Sequence, residues 1–311
     1  MFLLATNVSY VWDSTGTTVV TNPSSQPSAL VVDSPNVLYV VESAQNRVQK
    51  YFFGASSNST TVAGQMNGAS GNTSDFLNSP SDVAVDSSGN VYVLDKLNNR
   101  VQLWNSGVSN GTTVAGFNGS GYAANQLDFP YCMARDPNTG TLYISDSGNN
   151  RVMQYLYNAS SGNVVAGGNG YGFATNQLAY PSGIFFDSSS NSLVIANYLG
   201  HNIVRWTLGA SSWTLIAGST NGVAGSSSIM LNSPMGLTLD SSGNIYVADL
   251  LNHRIQFFTN QSNGTTIAGT TGVAGSSATQ LNTPQGVAVD SQLNLYVADW
   301  GNNRVQKFSR S

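Results

Sequence analysis

One cysteine, Cys132, stands in a chain of 311 residues, so no internal disulfide can form. This disfavours small disulfide-stapled secreted folds without excluding secretion. Histidine is almost as scarce, with only His201 and His253. Charged residues make up 8% of the chain, against roughly a quarter in ordinary soluble proteins. The net charge is −4 and the isoelectric point about 4.9, with no cluster of Lys or Arg. Phosphate recognition needs a basic footprint, so nucleic-acid binding is not expected. No apolar run is long enough to span a bilayer, which argues against membrane insertion. The opening residues, MFLLATNVSY, lack the basic n-region and full h-region of a secretory leader, as expected of a mature or trimmed chain or of one whose start lies upstream of Met1.

The chain is rich in repetition. Proline followed six positions later by aspartate occurs at Pro27/Asp33, Pro80/Asp86, Pro130/Asp136, Pro181/Asp187, Pro234/Asp240 and Pro284/Asp290. The period is roughly 51 residues, in the range of propellers and solenoid arrays. A single repeat cannot bury its apolar face, so residues 1–311 form one domain.

Within the second repeat, Ser81 to Val85 reads as a short strand that ends at Asp86, and Ser88-Gly89-Asn90 marks a turn. Val91-Tyr92-Val93 has strand character, Val101-Gln102-Leu103-Trp104 alternates again, and Thr112-Thr113-Val114-Ala115 ends the unit. These are four short strands, a to d, with no helical period. Proline suits the start of strand a because it cannot donate to a ladder. Four antiparallel strands taken six times predict an all-β, six-bladed propeller. Its repeats begin near 27, 80, 130, 181, 234 and 284. The last repeat stops after strand c. Thr17-Thr18-Val19-Val20 matches the strand d of other repeats, so residues 17–20 are expected to complete the last blade and close the ring. Residues 1–16 are then an N-terminal extension.

Five repeats place an acid five residues before an arginine: Glu42/Arg47, Asp95/Arg100, Asp146/Arg151, Asp249/Arg254 and Asp299/Arg304. The b–c turn brings the two within reach, and a guanidinium fork suits a carboxylate and turn carbonyls. Blade four lacks both, with Asn197 for the acid, Ile203 in the arginine's place and one extra turn residue. Joint loss is what a coupled pair predicts, because stranding one buried charge costs about 3–5 kcal/mol.

The segments Asn98-Asn99-Arg100-Val101-Gln102, Asn252-His253-Arg254-Ile255-Gln256 and Asn302-Asn303-Arg304-Val305-Gln306 resemble the signature of NHL repeats. Tyr246-Val247-Ala248-Asp249 and Tyr296-Val297-Ala298-Asp299 extend the likeness, which runs from about Thr17 to Phe308. The resemblance implies a six-bladed propeller but no single function, since relatives include amidating lyases, RNA binders, sensor ectodomains and adhesion modules. Zinc sites with several histidines, as the resemblance implies for the amidating lyases, cannot be built from His201 and His253, both assigned to b–c turns. No cofactor is expected. A calcium ion in the channel stays open, because backbone carbonyls and water suffice.

Eleven of the fifteen acids belong to the repeated positions, leaving Asp13, Asp75, Asp82 and Asp128. Five of the eleven bases are motif arginines, leaving Lys50, Lys96, Arg135, Arg205, Lys307 and Arg310. Little is left for catalysis. One mouth of the channel should carry the residues after each proline: Ser28, Ser81, Tyr131, Ser182, Met235 and Gln285. Below them come Ala29, Asp82, Cys132, Gly183, Gly236 and Gly286. Asp82 and Cys132 stand out, and Asp82 with Tyr131 and Arg135 is the best candidate for a small polar ligand pocket. No catalytic residue and no metal ligand is assigned.

Eight Asn-x-Ser/Thr sequons, at Asn7, Asn58, Asn72, Asn110, Asn118, Asn158, Asn260 and Asn263, are candidates for N-glycosylation in polar loops. Aromatics in the d–a loops, among them Phe76, Phe117, Tyr122, Phe129, Tyr171, Phe173 and Tyr180, can stack on sugars, anchor a protein or pack between blades. The expectation is a non-enzymatic, extracellular or cell-surface module that binds a protein or glycan. One alternative is a self-assembling filament subunit, joined through the apolar segment Phe2-Leu3-Leu4 and Val8 to Trp12. The other is a propeller-type lyase or hydrolase.

Overall fold

The computed structural model describes residues 11–22, 25–33, 37–52, 59–259 and 263–311. Blade one holds β2 (Pro27–Asp33), β3 (Val37–Glu42), β4 (Arg47–Phe52) and β5 (Ser59–Gly64). Blade two holds β6 (Asp82–Val85), β7 (Val91–Asp95), β8 (Arg100–Trp104) and β9 (Thr112–Ala115). Blade three follows with β10 (Met133–Arg135), β11 (Leu142–Asp146), β12 (Arg151–Tyr155) and β13 (Asn163–Gly167). Blade four comprises β14 (Pro181–Asp187), β15 (Ser192–Asn197), β16 (Asn202–Thr207) and β17 (Thr214–Gly218). Blade five comprises β18 (Pro234–Leu239), β19 (Ile245–Asp249), β20 (Arg254–Phe258) and β21 (Thr265–Gly269). Blade six has β22 (Pro284–Val289), β23 (Leu295–Asp299) and β24 (Arg304–Phe308). Its fourth strand is β1 (Thr17–Thr21), antiparallel to β24 with Thr17 opposite Lys307. The chain is thus a closed six-bladed propeller, and the closing strand runs one residue past the expected 17–20.

Strand b carries apolar residues on both faces because each blade is sandwiched between two others. Val91 and Val93 pack toward blade one, whereas Tyr92 and Leu94 pack toward blade three. Ile245 and Val247 likewise meet blade four, while Tyr246 and Ala248 meet blade six. The core is therefore six clusters between blades, not one central mass.

Five of the six d–a loops are anchored by a leucine three residues before the proline; the short connection into blade one has Ser24 there. Leu77, Leu127, Leu178, Leu231 and Leu281 are all fully buried. The b–c turns and d–a loops share one face, because motif arginines at the start of strand c bond carbonyls of those loops. Arg100 donates to Asn72, Thr73 and Phe76 carbonyls, and Arg254 to those of Ser226, Ser227 and Met230. The a–b and c–d turns form the opposite face.

The extension is only partly described. Trp12 is buried on this chain's own propeller, edge-on to Tyr246 at 5.7 Å, and its indole N–H donates to the Leu293 carbonyl at 2.8 Å. Phe2 to Leu4 and Val8 to Tyr10 lie outside the described residues.

Candidate functional site

All five expected acid–arginine pairs form, with N–O distances of 2.6–2.8 Å and carboxylates fully shielded from solvent. Each pair does more than close its turn. Asp95 accepts from Arg100 Nε, the Asn98 side chain and the backbone N–H of Asn78 in the incoming loop. Asp146, Asp249 and Asp299 repeat this pattern with Asp128, Asn232 and Asn282. Burial pushes these four aspartates above the ordinary carboxylate range, against the pull of those donors. Blade one lacks the long incoming loop, and Glu42 instead accepts from Asn22 and the Tyr51 hydroxyl.

Blade four needs a correction. The residue opposite Asn197 is Asn202, just as Arg151 lies opposite Asp146. The turn has no extra residue, and Ile203 matches Val152. Asn197 donates to the Asn202 carbonyl oxygen at 3.0 Å, so a neutral amide pair replaces the ion pair in place.

The Pro-x5-Asp aspartates cap the a–b turns on the other face. Asp240 accepts from the N–H groups of Ser242 and Asn244, the Asn244 amide and the Tyr246 hydroxyl. Asp86, Asp136 and Asp290 do likewise in their turns. In blade four Asp187 also pairs with Arg205 at 2.7 Å. The Asp33 turn, 34–36, lies outside the described residues.

The central channel encloses about 580 Å³ and runs the length of the strands a. Of the residues after each proline, Ser28, Ser81, Tyr131, Met235 and Gln285 line its d–a end, whereas Ser182 is buried against the Pro234 and Met235 carbonyls, and that end is bridged. The Tyr131 hydroxyl donates to Gln285 Oε1 at 2.8 Å, from blade three to blade six opposite. At the a–b turns exposed Pro137 and Ser188 line it together with Asp187, so that end meets solvent.

Asp82 and Cys132 are indeed neighbours, and their task is visible in the glycines that replace them elsewhere. At Gly183 a Cβ would lie 2.3 Å from the Met235 carbonyl, and at Gly236 one would lie 2.4 Å from that of Gln285. From blade four round to blade one, strands a therefore touch backbone to backbone. Between blades two, three and four side chains span the gap instead. Asp82 Oδ2 accepts the Met133 N–H at 2.7 Å, and the Ile184 N–H points at Cys132 Sγ at 3.4 Å. Burial raises Asp82 to about 6 and pushes the Cys132 thiol up, which keeps it protonated and inert. Arg135 lies toward the a–b end, stacked over Tyr92 at 5.1 Å, so Asp82, Tyr131 and Arg135 line one channel at different depths. The Ser81 hydroxyl, buried beside Asp82, has no partner.

His201 and His253 hold b–c turns in a left-handed conformation, with φ of 51° and 55°. Their Nδ1 atoms accept the N–H of Ser233 and Thr283, just as the Asn99 and Asn150 side chains accept those of Phe129 and Tyr180. These residues staple each blade to the next. Among the described residues, no three His, Cys, Asp or Glu side chains gather as metal ligands.

The d–a face carries an aromatic arc over blades three and four. Phe129 lies 6.4 Å from Tyr180, which lies 6.0 Å from Tyr198, and Lys96 Nζ sits 5.1 Å over Phe129 and 5.4 Å over Tyr131. The other loop aromatics are mixed. Tyr122 is exposed but stacks on Arg151 at 4.3 Å, Tyr171 meets Phe173 at 5.7 Å, and Phe117 is exposed. No repeat marks Tyr198 or Lys96 as part of this arc; folding brings their b–c turns beside Tyr180 and Phe129.

The sequons at Asn72, Asn110, Asn118, Asn158 and Asn263 are all solvent-exposed. Asn110, Asn158 and Asn263 sit in c–d loops on one face, Asn72 and Asn118 in d–a loops on the other. Asn7, Asn58 and Asn260 lie outside the described residues.

A closed ring of blades with its ionisable groups locked in turns defines a propeller of the NHL type. The NHL repeat family matches residues 231–258 and 281–308, and the SMP-30/Gluconolactonase/LRE-like region family matches residues 4–216. The chain belongs to the SMP-30/Gluconolactonase/LRE-like family, with NHL repeats in its last two blades. No curated protein matches it. Among solved structures, an auxiliary nutrient binding protein from Bacteroides thetaiotaomicron aligns with a TM-score of 0.71 at 18% identity, covering 96% of this chain and 72% of that one. A catalytically inactive virginiamycin B lyase from Staphylococcus aureus, solved with quinupristin, aligns at 0.58 and 12% identity, over 93% of this chain and 82% of that one. A chain of a nidogen/laminin complex aligns at 0.60 and 18% identity, over 84% of each. At these identities the likeness is one of fold.

Proposed function

We propose that this chain is a non-catalytic binding module that works outside the cell or at its surface and takes a protein or a glycan as partner. The disposition of charge carries this reading. The acids and arginines of the repeats are tied into turns by carboxylate, amide and backbone bonds, while Lys50, Lys96, Arg135 and Lys307 lie over aromatic rings. Among the described residues, no constellation of nucleophile, base and oxyanion donors remains at either end of the channel. Proteins of the same fold include an auxiliary nutrient binding protein and a chain of a nidogen/laminin complex, which is in keeping with a binding role.

The exposed sequons support extracellular placement. Glycosidase treatment of protein from its native source is expected to lower the mass and convert several of Asn72, Asn110, Asn118, Asn158 and Asn263 to aspartate. Unmodified sequons throughout would remove the extracellular part of the proposal.

One observation favours the second reading, a propeller-type lyase or hydrolase: Asp82, raised to about 6, faces a channel whose far end is open. Both its oxygens already accept backbone N–H groups, from Val83 and Met133, which favours a bridging role. An activity abolished by Asp82→Asn in a folded protein would reverse that preference.

A further inference from the structure

The sixfold repeat supplies an internal control, because it shows what the fold itself requires at each position. Before the proline stand Gln26, Ser79, Phe129, Tyr180, Ser233 and Thr283. All six have positive φ, from 43° to 54°. Bulky aromatics are poorly suited to that backbone, and serine satisfies it elsewhere in the ring. The first residue of the b–c turn is Ser43, Lys96, Ser147, Tyr198, Leu250 or Trp300. The fold accepts serine there too. Yet Phe129, Tyr180 and Tyr198 meet at one boundary, with Tyr131 alongside. Packing of the blades does not explain this concentration.

From this arc we infer a carbohydrate-stacking site on the d–a face, formed by Phe129, Tyr180 and Tyr198 beside Tyr131, with Lys96 and Asp128 at its edges. The inference rests on the binding-module reading and names a site and ligand class for it. The rings are held in place from behind. The N–H of Phe129 bonds Asn99, that of Tyr180 bonds Asn150, and the Tyr131 hydroxyl is anchored to Gln285. A platform ordered before binding avoids an ordering cost on contact. Phe129 is 36% exposed, and the hydroxyls of Tyr180 and Tyr198 make no hydrogen bond within the described residues. Apolar faces edged by free hydroxyls suit the C–H faces and equatorial hydroxyls of a pyranose. The charges suit a neutral sugar. The Lys96 ammonium over two rings and the Asp128 carboxylate bonded by Ser120 each keep their charge, and one of each sign leaves the arc near neutral overall, which favours a neutral sugar over an acidic peptide or a phosphate. The d–a loops before blades four, five and six carry no sequon, whereas Asn118 stands in the loop that ends at Phe129.

The test uses the full chain and short neutral cello-, manno- and galacto-oligosaccharides, with affinity read by titration calorimetry and ligand-observed magnetic resonance. Phe129→Ser, Tyr180→Ser and Tyr198→Ser borrow residues the fold already uses at equivalent positions, so the variants are expected to keep the parent's circular dichroism and melting temperature. At least one oligosaccharide series is expected to bind at up to millimolar concentration. Each variant should weaken that binding about five- to tenfold, whereas Phe117→Ser, on the same face outside the arc, should not change it. Binding that survives all three arc substitutions would refute this site and leave the module reading intact. No binding by any series would refute the ligand class. If a purified protein partner were instead lost on the same three substitutions, the surface would be a protein interface and the sugar assignment wrong.

Discussion

At Asn99, Asn150, His201 and His253 one side chain serves two purposes. The residue accepts a left-handed backbone, and its acceptor atom captures the N–H of the residue before the next proline. Asparagine does this at any pH, but histidine only while Nδ1 is unprotonated. Burial lowers the pKa of both histidines below 6.5. The folded state then binds fewer protons than the unfolded state. Stability from these staples is present above 6.5 and is lost as pH falls through that value and below. His201→Asn with His253→Asn should flatten the fall in melting temperature between pH 7.5 and pH 5, and an unchanged slope would contradict the staple. Asp82 has the opposite sign. Its folded value of about 6 exceeds the ordinary 3.8, so its burial penalty is relieved as pH falls through that window. Asp82→Asn should remove this gain, and measuring the two sets of variants separately resolves the opposing slopes.

Elements add a second kind of coupling, because a turn pair in one blade clamps the loop arriving from the previous blade. Asp146 and Arg151 are the most enclosed pair, at 0% and 2% side-chain exposure. Arg151→Ala should cost about 3–5 kcal/mol by leaving a buried carboxylate unmatched. Joint replacement by Asn at both positions copies blade four and should cost clearly less than the single substitution in urea denaturation. Equal costs would mean the pair is not coupled. The acid–arginine spacing, strand order and closing strand were legible in the sequence because they recur with one period. What recurrence hides is contact between repeats. Asp82 and Cys132 stood out as departures from glycine, but only the 2.3 Å approach at Gly183 reveals that glycine there admits a neighbouring carbonyl. The blade-four alignment failed for a related reason. An amide pair does not look like an ion pair, which draws the eye to Ile203, although Asn197 and Asn202 occupy the same register. The five buried loop leucines were readable from their fixed spacing to proline, and Lys96 and Tyr198 became site candidates only when the turns folded beside the next blade.

Across the whole molecule, closure decides whether the ring stays shut. β1 covers the edge of β24, and Trp12 sits over the joint between blades five and six at 7% exposure, touching Tyr246 and Phe257. These contacts link the first described residues to blades made last, so they form only when nearly the whole chain is present. Sequence-distant contacts of this type stabilise the final ring more than any early intermediate. Trp12→Ala removes a buried indole and should destabilise by about 3–5 kcal/mol. Removing residues 1–21 goes further, since it exposes an unpaired edge from Arg304 to Phe308 that can template association. The truncated chain should melt lower and form larger particles in light scattering, while Trp12→Ala should melt lower and stay monodisperse in relation to its parent. A truncated chain that matched the parent in both would show that the ring does not depend on β1 for closure.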